Sequence, residues 1–148
     1  MTIGDYVAAD DIVFLDGATR NESTQKLIDT AAQHSHIGDV EKFSRAIFER
    51  EAVLSTAVGS GVAVPHAKVS GVEKFFVVIG ISSTPIEWDA PDKQPVRIVF
   101  LIGGPEQQQT KYLQLLAKVM LVVKNDSLRG RLLEAKTAQD VVTIFSGV

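Results

Sequence analysis

Val96-Arg-Ile-Val-Phe-Leu-Ile102 is an apolar run broken only by Arg97 and stopped by Gly103-Gly-Pro105. It is too short for a typical helix and rich in β-branched and aromatic residues, so it reads as a buried strand. Phe75 to Ile81, Phe-Phe-Val-Val-Ile-Gly-Ile, repeats the pattern and reads as a second buried strand. Helical signals stand on either side. Thr19-Arg-Asn-Glu22 has the form of a capping box, followed by Leu27, Ile28, Ala31 and Ala32 at helical spacing. Gly38 suits a stop, and Asp39 suits the cap of a second helix with Val40, Phe43, Ile47 and Leu54 on its apolar face. Arg50 falls on that same face, where a charge needs a partner or a task.

The remaining segments follow the same logic. Residues 11–15 read as a short first strand, and Val62-Ala-Val64 as an extended piece running into Pro65. Thr84 to Pro95 holds three prolines and several charges and reads as a long loop. Glu106 to Lys124 reads as a helix with Leu113, Leu116, Met120 and Val123 as its inner stripe and no clear second apolar face. Residues 126–135 and 137–146 read as two shorter helices, the last capped by Thr137-Ala-Gln-Asp140. Strands and helices mixed in this order predict an α/β architecture, one sheet covered by helices, with residues 1–148 forming a single domain.

Composition narrows the function. The 148 residues are 45% hydrophobic and 22% charged, enough apolar material for a core. A net charge of −3, with no basic run interleaved with aromatics, argues against nucleic acid. Absence of cysteine removes disulfides, thiolate metal sites and cysteine nucleophiles. No apolar run approaches the roughly 20 residues of a membrane span, and Met1-Thr-Ile-Gly-Asp5 has no signal-peptide pattern, so a cytoplasmic protein is expected. Phosphate-loop, dinucleotide and nucleophile-elbow motifs are missing, because Gly59-Ser-Gly-Val-Ala63 has its serine out of frame. Asp10-Asp11 reads as solvated, and Trp88 as an aromatic closing over the core.

Three histidines remain. His34 and His36 fall at the end of the first helix, where imidazoles meet free carbonyls, and no ligand set accompanies them in sequence, so no metal is expected. His66 differs. In Gly59-Ser-Gly-Val-Ala-Val-Pro-His-Ala67, proline stiffens the approach and His66 projects from a strand end. A neutral imidazole is a nucleophile at physiological pH and suits a transient phosphoryl acceptor. Peptide groups of Gly59, Ser60 and Gly61 can bind an anion, and Arg50 can pair with phosphate oxygens. A hydrogen-bonded histidine at a strand-end turn explains the same residues without chemistry.

Phe48-Glu-Arg-Glu51, Ser55-Thr56 and the Gly-x-Gly-Val-Ala-Val-Pro-His66-Ala67 stretch together resemble the enzyme IIA domain of the fructose, mannitol and nitrogen-regulatory class, part of the phosphoenolpyruvate-dependent phosphotransferase system. Pro85-Ile-Glu-Trp88, Val96 to Ile102 and Leu113-Gln-Leu-Leu-Ala117 extend the resemblance over nearly the whole chain. It implies a mixed β-sheet flanked by helices on both faces and no cofactor. It implies that His66 accepts a phosphoryl group from an HPr-type phosphocarrier, with Arg50 stabilising it. The group then passes to a IIB component in sugar transport, or its presence regulates target proteins in nitrogen-type members. A stand-alone regulatory protein, most like the nitrogen type, is the expectation. One position departs from the family: Tyr112 stands where a second histidine is usual. A phenol donates a hydrogen bond but is no cation at neutral pH, so Tyr112 lines the pocket without adding charge. That departure motivates an alternative, a IIA-fold binding module with impaired phosphotransfer. A small-molecule-binding domain that shares only the fold is a third reading.

Overall fold

The computed structural model describes residues 2–34, 36–146 and 148. Two 3-10 turns, Ile3–Tyr6 and Ala9–Asp11, lead into β1 (Ile12–Leu15). Helices α1 (Arg20–Gln33) and α2 (Val40–Val53) follow, then short strands β2 (Ala57–Gly59), β3 (Val62–Ala63) and β4 (His66–Lys68). The long strands β5 (Phe76–Ile86) and β6 (Val96–Gly104) precede α3 (Gln109–Val123), α4 (Asp126–Glu134) and α5 (Ala138–Phe145). Helix starts obey local chemistry: Thr19 with Glu22 and Thr137 with Asp140 form capping boxes, and Asp39 accepts from the Lys42 N–H.

The sheet is mixed. β5 and β6 pair antiparallel at its centre, and β1 lies parallel to β5. β3 and then β4 run parallel to β6, with β2 antiparallel outside β3. The unbroken apolar runs conceal a period of two. Phe76 and Val78, with Val99 and Leu101, face the layer of α1 and α2. Val77, Ile79, Ile81, Ile98, Phe100 and Ile102 face α3, α4 and α5. Both faces need apolar residues because both are covered by helices. Gly103 has to be glycine, since a Cβ there would come within 2.3 Å of the Phe76 ring.

Several expectations need correction. The 84–95 loop is shorter than read, because β5 continues through Pro85 to Ile86, which pairs with Val96. A register shift between Ile81 and Ile86 lets proline sit there without a lost ladder bond. Leu54 is no part of the α2 face: it follows the helix in extended conformation and is 66% exposed. The inner stripe of α3 is Tyr112, Leu115, Val119, Val122 and Val123, one residue out of phase with the reading, and Leu113 is 53% exposed. With Ala117 and Leu121 also exposed, the helix does carry a second, solvent-facing apolar line. Asp11 is buried rather than solvated, while Asp10 is exposed.

Candidate functional site

Backbone bonds on both sides fix the approach to His66. The Val64 N–H donates to the Thr56 carbonyl at 3.0 Å, and the Ile102 N–H donates to the Pro65 carbonyl at 3.0 Å. This positions the Val64 carbonyl 2.7 Å from Nδ1 of His66. A carbonyl only accepts, so Nδ1 carries the proton and donates it. In the neutral ring Nε2 then keeps the lone pair. His66 is half-buried, so the ring is held while the edge stays reachable.

Tyr112 forms one wall. Its ring centroid lies 5.9 Å from that of His66 at an interplanar angle of 50°. Phe75 stacks behind it at 6.0 Å. The side chain is 6% exposed, and burial pushes the phenol up to about 12 although the Arg50 charge pulls it back in part. Tyr112 is therefore a neutral donor at physiological pH. Arg50, half-buried near the end of α2, is anchored through Nη1 to the Leu54 carbonyl at 2.9 Å. That carbonyl is the partner its place on the helix demanded. The Arg50 charge acts on the Tyr112 phenol, and the Tyr112 ring stands against that of His66, so α2, α3 and β4 all contribute to the surroundings of Tyr112.

Gly59, Ser60 and Gly61 are not brought there. They form the β2–β3 turn, with φ of 94°, 58° and 76°. The Gly61 carbonyl accepts from the Arg97 and Ile98 N–H groups, whereas His66 pairs with Ile102. At about 3.3 Å per residue, five strand positions separate the turn from His66 by roughly 16 Å. The Ser60 N–H already donates to the Asp92 carboxylate at 3.1 Å, and the Gln94 N–H first and this bond second hold that carboxyl below its usual range. The turn's job is to start β3, so the anion-binding expectation for these peptides fails on distance and on occupancy.

Two residues escaped the sequence reading. Lys68 follows His66 by two positions in β4 and so shares its face, a signal that strand periodicity already contains. Its ammonium lies 5.0 Å from the Tyr112 ring centroid and donates to Oε1 of Gln109 at the start of α3. Glu51 is buried, and its carboxylate accepts the Thr56 N–H at 3.1 Å, the Thr56 hydroxyl and the Trp88 indole N–H at 3.1 Å. Trp88 is fully buried, as expected of it. Thr56 in turn accepts from Val64, whose carbonyl holds the His66 ring. No local pattern announces Glu51, because one of its partners is 37 residues away.

The other two histidines face a carboxylate. His36 Nε2 lies 3.1 Å from Asp11 Oδ2, and His34 Nδ1 lies 2.9 Å from the Thr30 carbonyl and 3.7 Å from Asp11 Oδ1. Among the described residues no group of three or more His, Cys, Asp or Glu is placed to hold a metal, and no helix is long and apolar enough to cross a membrane. The geometry at His66 is thus an Nδ1 committed to a carbonyl and a neutral phenol against the ring, with Lys68 and the Arg50 charge acting on that phenol. Such a site suits an electrophile that carries negative oxygens.

Comparison with known proteins identifies the family. Residues 6–148 match the family model for the EIIA 2 component of the phosphoenolpyruvate-dependent sugar phosphotransferase system. The fructose-specific EIIA component of Haloferax volcanii is 31% identical over 131 residues, 88% of this chain and 85% of that protein. A nitrogen regulatory protein of Bradyrhizobium diazoefficiens is 32% identical over 150 residues, 99% of this chain and 95% of the relative. In the fold, the nitrogen regulatory protein IIA-Ntr of Neisseria meningitidis superposes with a TM-score of 0.87 at 26% identity, covering 97% of this chain and 98% of that one. With its mixed sheet, its two helical layers and His66 on the strand that follows Pro65, the chain belongs to the EIIA 2 family of the phosphoenolpyruvate-dependent sugar phosphotransferase system.

Proposed function

We propose that this chain is a phosphoryl carrier whose acceptor is Nε2 of His66. One observation carries the reading: Nδ1 is committed to the Val64 carbonyl, which leaves Nε2 as the nucleophilic nitrogen. The donor is a phosphohistidine on an HPr-type phosphocarrier. The Nε2 lone pair forms the new N–P bond as the donor's N–P bond breaks. The electron pair of the broken bond stays on the donor ring, which leaves as neutral imidazole when its other nitrogen is protonated. His66 keeps its Nδ1 proton on Val64 throughout, so its ring gains imidazolium character as the phosphoryl group arrives. The Val64 carbonyl favours that charge. Arg50 stabilises the phosphoryl oxygens, and the neutral Tyr112 can donate one hydrogen bond to them.

Onward transfer to a IIB component and regulation of other proteins are both open to such a carrier. Likeness to nitrogen regulatory proteins over nearly the full chain supports regulation, and likeness to a fructose-specific component supports transfer. The mannitol IIA of Escherichia coli, known in complex with phosphorylated IIB, shares the fold. A second reading, a binding module seldom phosphorylated, rests on Tyr112 and its missing charge. Incubation with phosphoenolpyruvate, enzyme I and an HPr-type carrier separates the two. Intact mass should rise by one phosphoryl group, acid-labile and alkali-stable, and the rise should vanish in His66→Ala. No rise with several carriers would favour the binding module, and a rise that survives His66→Ala would end the assignment of the acceptor.

A further inference from the structure

The pocket has one more cation than the acceptor and Arg50 require. We infer that Lys68 is a catalytic residue of this site, the ammonium that binds the transferring phosphoryl group opposite Arg50 and replaces the charge that Tyr112 cannot carry; the inference rests on His66 being the acceptor. A phosphoryl group on Nε2 brings two negative charges into a half-buried site. Tyr112 offers at most a neutral hydrogen bond, since its phenol is pushed up to about 12. Arg50 lies in the last turn of α2, and its charge acts on the Tyr112 phenol. On the β4 side the near cation is Lys68, on the same strand face as His66 and with its ammonium 5.0 Å from the centroid of the Tyr112 ring that also lies 5.9 Å from the His66 ring.

Reach is adequate. Residues two apart in a strand are about 6.6 Å apart along its axis, a distance that the four-carbon stem of lysine spans. The resting partner is Oε1 of Gln109, a neutral acceptor. Exchanging it for a phosphoryl oxygen turns a hydrogen bond with one charged partner into one between opposite charges, which is the stronger kind. Lys68 changes no bond count in the transfer: it neither gives nor takes a proton, and its contribution is to the negative charge spread over the three phosphoryl oxygens.

The test uses two donors, the phosphorylated HPr-type carrier and the small molecule phosphoramidate, on wild type, Lys68→Met and Lys68→Arg. Methionine keeps an apolar stem against Tyr112 and removes the charge. Lys68→Met should accept phosphate on His66 about tenfold more slowly from both donors, Lys68→Arg should stay close to wild type, and melting temperatures should coincide. Wild-type rates in Lys68→Met from both donors would overturn the inference. A loss seen only with the protein donor would overturn it too, because Lys68 would then act in docking. If Lys68→Met folds poorly, the arginine variant decides: a folded Lys68→Arg near the wild-type rate sustains the electrostatic role, and one about tenfold slower than wild type removes it. Failure of the wild type with both donors would instead sink the phosphoryl-carrier reading, and this inference with it.

Discussion

Asp11 and Glu51 are both buried carboxylates, and each stands behind a histidine, but they do so in opposite ways. Asp11 touches His36 directly: both of its oxygens lie within 3.2 Å of Nε2, while the ring stacks on Phe76 at 5.0 Å. Glu51 never meets His66. Its oxygens take the Thr56 N–H, the Thr56 hydroxyl and the Trp88 indole N–H, and the connection to the ring passes through Thr56 and the Val64 backbone. The difference separates a structural histidine from a chemical one. A carboxylate at Nε2 accepts that nitrogen's proton, so Nε2 is a donor with no free lone pair, and the carboxylate's negative charge repels an incoming phosphoryl group. A neutral carbonyl at Nδ1 orients the ring, fixes the tautomer and leaves Nε2 without a negative neighbour.

Glu51 is the place to break that comparison with the largest effect. Glu51→Gln keeps shape and removes one acceptor oxygen, so a buried donor is left facing an NH2 group. The loss of charge-assisted bonds together with the stranded donor should lower stability by about 3 kcal/mol, read as a shift in the urea midpoint at neutral pH. Phosphorylation of the folded fraction should slow as well, since the carbonyl that aims His66 hangs on Thr56. An unchanged midpoint would mean that Glu51 holds nothing, and the indirect anchoring of His66 would have to be abandoned.

The buried roles of Glu51 and Asp11 are not legible in the sequence, and this follows from what a sequence records. Local chemistry is legible: Thr19 with Glu22, Thr137 with Asp140 and the Asp39 cap all concern atoms within a few residues. The two central strands are legible because burial on both faces leaves an unbroken apolar run. His66 and Arg50 stood out, one through the proline before it and the other as a charge on an apolar face. Long-range partners leave no such trace, as Trp88 on Glu51 and His36 on Asp11 illustrate. The α3 stripe was misphased for a different reason. Leucine, valine, methionine and alanine occur almost all round that helix, so two phases fit nearly equally, and Tyr112 marks the correct one. The Gly59–Gly61 turn lies away from His66 because an extended chain carries neighbours in a motif apart in space.

Tyr112 tests the other half of the comparison, that the His66 pocket draws its charge from lysine and arginine. The phenol's folded value of about 12 lies above the ordinary 10, so the unfolded chain gives up that proton first. Its contribution to stability is fully present below pH 10 and is lost as pH rises through about 12. Between those limits wild type should lose about 2 kcal/mol relative to Tyr112→Phe, measured as the difference in unfolding free energy across pH 8 to 12. A constant difference would place an accessible, ionisable phenol beside His66. The neutral wall assumed for the pocket would then be wrong at high pH.

His34 offers the smallest effect and the cleanest control. It lies at the C-terminal end of α1, with Nδ1 2.9 Å from the Thr30 carbonyl and only a longer approach of 3.7 Å to Asp11. Because a carbonyl can only accept, this imidazole also donates through Nδ1, as His66 does, so tautomer alone does not make an acceptor. What differs for His34 is the company: it ends a helix beside a buried carboxylate. His34→Ala should cost about 0.5 kcal/mol, the usual worth of a side chain at an exposed helix end, and leave phosphoryl uptake at wild-type rate. Uptake that fell with His34 while the fold held would show that the Asp11 cluster communicates with His66 across the sheet, and the separation of the two histidine sites would fail.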